Sequence, residues 1–193
     1  MINILLKTRN NHQGFTLAEL LISTVISLLL LMTISIIFTS NQKIWRKGNN
    51  EAELLQNARI ITDLMAREVR QAKEIITVLP ADDSNPGLIA HELQFEDGHT
   101  ESHIQYIRYY LDETGLRRQV IVYYFSIDEN TYVYWNDSDA FGPPAQKELE
   151  NRLIGEYFSE INFYGSGQIN IDLTLLKNGD AIEMNSQIYP RNI

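Results

Sequence analysis

The sequence predicts an α+β protein: a long N-terminal helix, transmembrane and then amphipathic, packed on an antiparallel β-sheet head. Three observations predict it. An apolar run from Phe15 to Phe38 contains a single charge, Glu19. From Asn41 to Leu79 apolar residues return at spacings of three and four, the repeat of a helix that buries one stripe. From Leu88 onward the repeat becomes two, as in strands with one covered face.

Residues 1–14 form a short leader with Lys7 and Arg9 and no acid, so the positive-inside rule keeps it in the cytoplasm and sends the rest of the chain outward. The run 15–38 is long enough to cross a bilayer, because about 20 apolar residues at ~1.5 Å each span the hydrocarbon core. The expectation is one pass through the cytoplasmic (inner) membrane, N-terminus inside and head outside, with membrane lipid around the anchor. A carboxylate at the centre of such a helix costs roughly 2.5 to 3.5 kcal/mol, so Glu19, though near one end, calls for a partner. The competing reading is a carboxylate that reaches interfacial water, with Gly14 as a helix-entry glycine. An ordinary secretory signal places its small-residue cleavage site after the apolar segment. Here the small residue, Gly14, lies before it, so a cut there removes the leader and keeps the anchor. Ser23, Thr24, Ser27, Thr33 and Ser35 read as hydroxyls bonded to their own helix backbone rather than as glue between helices.

A short basic leader ending in Gly14, then Phe15, then Glu19 at the fifth position after the glycine inside an apolar helix resembles the type IV prepilin family. The resemblance implies a pilin-like fold, a prepilin peptidase that cuts between Gly14 and Phe15, and N-methylation of the new Phe15 amine. It also implies that Glu19 faces the N-terminal amine of a neighbouring pilin or pseudopilin subunit in a filament built by an inner-membrane assembly platform. Physics agrees, since opposite charges attract strongly in a low dielectric and each is costly to leave alone. The large head, Gly115-Leu116-Arg117-Arg118 and the tail Tyr189-Pro190-Arg191-Asn192 look like minor pilins and pseudopilins of the W and J type. That likeness implies a low-abundance subunit that helps start a type IV pilus or type II secretion-like filament, in the periplasm or at the cell surface. Glu19 sets the chain apart from the K-type tip subunit, which lacks that acid. Two alternatives stand beside this reading: a competence pseudopilin of a DNA-uptake filament, and a single-pass anchored envelope protein that does not polymerise.

The head is read from 80 to 193, with the amphipathic helix over 39–79 leading into it. The chain has no cysteine, so no disulfide staples the head, which must hold by burial and strand pairing. Many major pilins close a C-terminal loop with a disulfide, and its absence points away from that branch. Residues 80–193 carry nineteen acids against seven bases. Such a balance argues against direct nucleic-acid binding, which rests on Lys and Arg neutralising phosphates; a local patch around Arg117 and Arg118 is the feature left open. The stripe runs through Trp45, Gly48, Ala52, Leu55, Ala58, Thr62, Met65, Val69, Ala72, Ile76 and Leu79, and core packing is favoured over a coiled-coil partner site. Gly48 with Asn49 and Asn50 is the expected weak point. Pro80 is expected to stop the helix, followed by a turn-rich linker from Asp82 to Gly87.

Two hairpins are expected. Ser102 to Leu111 and Leu116 to Phe125 flank Asp112-Glu113-Thr114-Gly115. Asn178-Gly179 is a strong two-residue turn signal, and pairing outward from it sets Leu175 opposite Ile182, Leu173 opposite Met184 and Ile169 opposite Ile188. The other face carries Asn170, Asp172, Thr174 and Glu183 for water. Asn136 to Leu149 reads as a long surface loop flanked by Trp135 and Phe141, aromatics expected to be buried at strand ends. The chain is not expected to be an enzyme: it offers no thiol, no phosphate loop and no nucleophile elbow. No metal or cofactor is expected either. His99 and His103 read as solvated on a turn and strand, and the pairs Asp82 with Asp83 and Asp137 with Asp139 as turn acids rather than calcium ligands.

Overall fold

The computed structural model of the protein describes residues 14–98, 104–113 and 115–191. The leader with Lys7 and Arg9, and both His99 and His103, lie outside the described residues. The described elements are one helix, α1 (Leu17–Gln71), and the strands β1 (Glu92–Glu96), β2 (Tyr106–Asp112), β3 (Gly115–Phe125), β4 (Asp128–Val133), β5 (Ala145–Gly155), β6 (Phe158–Tyr164), β7 (Ile169–Lys177) and β8 (Asp180–Ile188). The chain divides into two compact units, Met1–Arg46 and Lys47–Ile193.

In the first unit every side chain from Gly14 to Arg46 is exposed, and those from Leu17 to Phe38 are overwhelmingly apolar. A helix apolar on all sides with nothing packed on it suits hydrocarbon and not water. This segment is consistent with a single membrane span.

In the second unit α1 passes through Gly48, Asn49 and Asn50 without a break. The expected weak point is instead an attachment: Asn50 Nδ2 donates to Asp180 Oδ2 at 2.9 Å, and one turn later Lys177 Nζ meets Glu53 Oε2 at 2.5 Å. Both partners flank the β7–β8 turn. The buried stripe agrees with the expected one at Ala58, Met65, Val69 and Ala72 and departs from it ahead of them: Trp45, Gly48, Ala52 and Leu55 are exposed, and Leu54 and Ile61 are buried instead. Spacings of three and four fit both choices, and packing favours the larger side chains of Leu54 and Ile61, while Thr62 is left half-buried with its hydroxyl 3.5 Å from the Met184 sulfur.

The helix ends at Gln71, not at Pro80. Residues Lys73 to Thr77 are extended and pair with β1: Lys73 N–H donates to the Glu96 carbonyl at 3.2 Å, Ile76 N–H to Gln94 at 2.8 Å, and Glu96 N–H to Glu74 at 2.8 Å. The β-branched run Ile75-Ile76-Thr77-Val78 suits a strand edge better than a helix. Gly98 makes the junction possible, because a Cβ there would collide with the backbone carbonyl of Gln71.

The head contains two antiparallel sheets. In one, β1, β2, β3 and β4 follow in order and β5 pairs with β3. Leu116 lies opposite Leu111 and Gly115 opposite Asp112, closing the first expected hairpin. The other sheet runs β6-β7-β8, and the Asn178-Gly179 turn has φ of 53° and 89°, the positive values such a turn demands. Its register places Leu175 opposite Ile182, Leu173 opposite Met184 and Ile169 opposite Ile188, as the alternation predicts. The sheets meet where Ala90 and Phe163 exchange backbone hydrogen bonds of 3.3 and 2.8 Å. β5 starts at Ala145, so the surface loop is shorter than 136–149. Charged β5 reads poorly as a strand by propensity and forms by pairing with the buried β3.

One core joins α1 to both sheets, with Phe95 and Ile107 from the first and Ile161, Phe163, Ile171 and Leu173 from the second. A polar bolt crosses it. Glu68 on α1 accepts from the Tyr109 hydroxyl and from Arg118 Nε, the latter at 3.1 Å to both oxygens. Arg118 also reaches Glu150 at 3.1 Å. The Arg118 and Glu68 side chains are only 10% and 11% exposed, so each depends on the other for compensation of a desolvated charge. Burial and the Glu68 charge push the Tyr109 hydroxyl well above its usual range, and burial pushes Tyr106 up to about 12.

Glu68→Ala should therefore cost about 3 to 5 kcal/mol, the usual effect of orphaning a buried charge, as read by urea denaturation of the detergent-solubilised chain. A loss under about 1 kcal/mol would show that the bolt is solvated and dispensable. Above pH ~10 an unfolded tyrosine releases its proton while the folded one keeps it, so stability falls as pH rises. Thermal melts should show this decline from pH ~10 through about 12, and Tyr109→Phe should make it shallower.

Candidate functional site

Gly14, Phe15 and Thr16 lie in non-helical backbone just ahead of α1. Thr16 is the N-cap, with its carbonyl accepting the Leu20 N–H at 3.2 Å. Glu19, three residues on, closes a reciprocal pair. Its N–H donates to the Thr16 hydroxyl oxygen at 3.2 Å, and its Oε2 accepts the Thr16 N–H and the Thr16 O–H, each at 2.9 Å. This is a capping box, in which two otherwise orphaned backbone donors are satisfied by side chains. The pattern Thr16-x-x-Glu19 is the local sequence signal of such a start.

The cap gives Glu19 two faces. Both Thr16 bonds end on Oε2, while Oε1 carries no hydrogen bond among the described residues. A carboxylate anchored at one oxygen and open at the other is oriented to accept a cationic donor. Phe15 is 85% exposed, and a Cβ built on Gly14 meets nothing within 4 Å. The Gly14–Phe15 peptide bond is therefore outside the helical ladder and unobstructed. Three of the five hydroxyls bond their own helix backbone as expected: Ser23 donates to the Glu19 carbonyl at 2.7 Å, Thr24 to Leu21 at 2.8 Å and Thr33 to Leu30 at 2.8 Å.

Elsewhere the structure settles the side chains that the sequence left open. Arg118 is buried on Glu68 and Glu150, and Arg117 pairs with Asp112 and reaches Asn151 at 3.3 Å. Their charges are spent within the fold, so they form no free basic patch. Asp82 accepts from Ser84, Asp137 from the Tyr134 N–H at 3.0 Å, and Asp139 from the Phe141 and Gly142 N–H groups at 2.7 and 3.1 Å. These acids serve their own turns. Trp135 and Phe141 depart from expectation, since both are exposed, Phe141 by 83%.

The family described as the prokaryotic N-terminal methylation motif matches residues 9–35, a span that holds Gly14, Phe15 and Glu19. No curated protein and no solved structure matches the chain. A motif of this kind implies a processing peptidase as partner. The chain thus carries a prepilin-like N-terminal methylation motif on a pilin-like arrangement of long apolar helix and antiparallel sheet, consistent with the broad prepilin and pseudopilin family.

Proposed function

We propose that this chain is a minor pilin or pseudopilin that helps start and assemble a type IV pilus or type II secretion-like filament, a structural and not a catalytic role. The observation that carries the proposal is the open Gly14–Phe15 bond set directly before a capped, lipid-suited helix whose one acid keeps an oxygen free. Cleavage of that bond by a prepilin peptidase leaves a Phe15 amine, which is then N-methylated and remains cationic. In the separate subunit the Thr16 donors offset part of the Glu19 charge. In the polymer Oε1 accepts the Phe15 ammonium of a neighbour. A misplaced subunit leaves both charges unpaired in hydrocarbon, so the pair sets register. The assembly platform and the other pilin subunits are its partners, and the acidic head projects outward. The W and J type assignment is supported by the large head and by the Gly115–Arg118 hairpin, whose Arg118 clamps helix to sheet.

Mass spectrometry of the chain from its native membrane should show a mature form that begins at Phe15 and carries one added methyl group. A protein that retains residues 1–14 at steady state would refute the processing step. Glu19 has two separable duties, cap and counter-charge. Glu19→Gln keeps a group able to cap Thr16 and should preserve the helix start while abolishing incorporation into filaments. Glu19→Ala should lose incorporation and also about 0.5 to 2 kcal/mol of helix-start stability, read as amide exchange at residues 16–20 in micelles. Normal incorporation of Glu19→Gln would remove the charge from the mechanism.

A further inference from the structure

The head carries an unexplained apolar tip. Where the β3–β4 turn meets the loop before β5, Phe125, Ile127, Phe141 and Pro143 line an open cleft of about 290 Å³. Ile127 is 75% exposed, and Trp135 stands exposed in the same loop. Exposed Phe141 and Ile127 beside Phe125 and Pro143 make an apolar surface of the kind that marks an interaction site. The tip is built rather than loose. Asp139 closes the turn that presents Phe141, and the Trp135 N–H donates to the Tyr106 hydroxyl at 3.1 Å.

The rim of this tip has one sign. From Ser126 to Gln146 the chain holds Asp128, Glu129, Asp137 and Asp139 and no lysine or arginine. Hydrogen bonds from Thr131 and the Asn130 N–H hold Asp128 below the usual carboxylate range. Such a rim selects a partner with an apolar centre and a basic border.

The same chain offers that surface. On α1 the residues Arg59, Ile60, Asp63, Arg67 and Arg70 are all exposed and fall on one helix face by their spacing. Arg191 joins them, and with Arg67, Arg70 and Ala66 it lines a groove of about 210 Å³. None of these four arginines makes an ion pair among the described residues, although the head is acidic overall. Ile60, 56% exposed, supplies the apolar centre.

We infer that the acidic aromatic tip around Phe141 docks on the arginine face of α1 in a second copy of this chain. The two surfaces differ, so the contact is heterologous, the tip of one copy on the α1 face of another. The contact rests on the filament reading above and adds to it a lateral bond between heads, independent of Glu19.

The absence of cysteine makes the test direct. Two tagged forms of the full chain, one Ser138→Cys and the other Asp63→Cys, both exposed positions beside the contact residues, are co-expressed in membranes and treated with a short thiol crosslinker. A mixed dimer should form well above the level given by Asn85→Cys with Asp63→Cys. Arg59→Glu with Arg70→Glu, both on an exposed helix face, should reduce it to that level, and adding Glu129→Lys, an exposed rim acid outside the Asp139 turn, should restore part of it. A mixed dimer at control level, or one indifferent to Arg59→Glu with Arg70→Glu, overturns the inference. A membrane pair, Leu21→Cys with Leu28→Cys in separate copies, tells the two failures apart. Membrane crosslinking without head crosslinking removes the tip contact and leaves the filament reading; loss of both removes both.

Discussion

One helix carries two surfaces suited to different surroundings, and most of this molecule follows from how α1 arranges them. Its first half is apolar on every side and has no protein cover. Its second half buries one face from Leu54 to Val69 and keeps the other charged. Neither half would be stable in the other's surroundings: lipid has no use for the arginine face, and water penalises the apolar one. The division into units at Arg46 and Lys47 falls where the requirement changes.

Two carboxylates on α1 are answered in different ways. Glu19, the acid in the apolar half, is tied to Thr16 through one oxygen and keeps the other open. Glu68, in the packed half, is fully engaged by Tyr109 and Arg118. The contrast separates two uses of a desolvated carboxylate. Glu68 is satisfied inside the fold and acts as a fastener, whereas Glu19 retains an unmet acceptor, which is what an assembly contact requires. Arg118 passes from a candidate contact with a partner to a structural counter-ion for the same reason.

The head's charge shows a related division. Acids dominate the sheets and their loops, while arginines that make no ion pair among the described residues lie on the outer face of α1 and at Arg191. A fold that kept its opposite charges together would have little long-range polarity. Here the separation leaves complementary surfaces on one chain, which is what the proposed head contact uses.

The sequence by itself determined the anchor, the Gly14–Phe15–Glu19 constellation, both tight hairpins and the register of β7 on β8. Each is local or strictly periodic: a charge within an apolar run, a turn dipeptide, an alternation that slips only by exposing a whole face. The capping box was equally legible in Thr16-x-x-Glu19. Tertiary structure alone decided that Leu54 and Ile61 would be buried ahead of the expected stripe residues Ala52 and Leu55, that Lys73 to Thr77 would leave the helix for the edge of β1, and that charged β5 would be a strand. It also decided that Arg118 would be spent on Glu68 while Phe141 stayed exposed. Those outcomes depend on partners far along the chain, and the energy of a long-range contact leaves no periodic mark on the residues that make it.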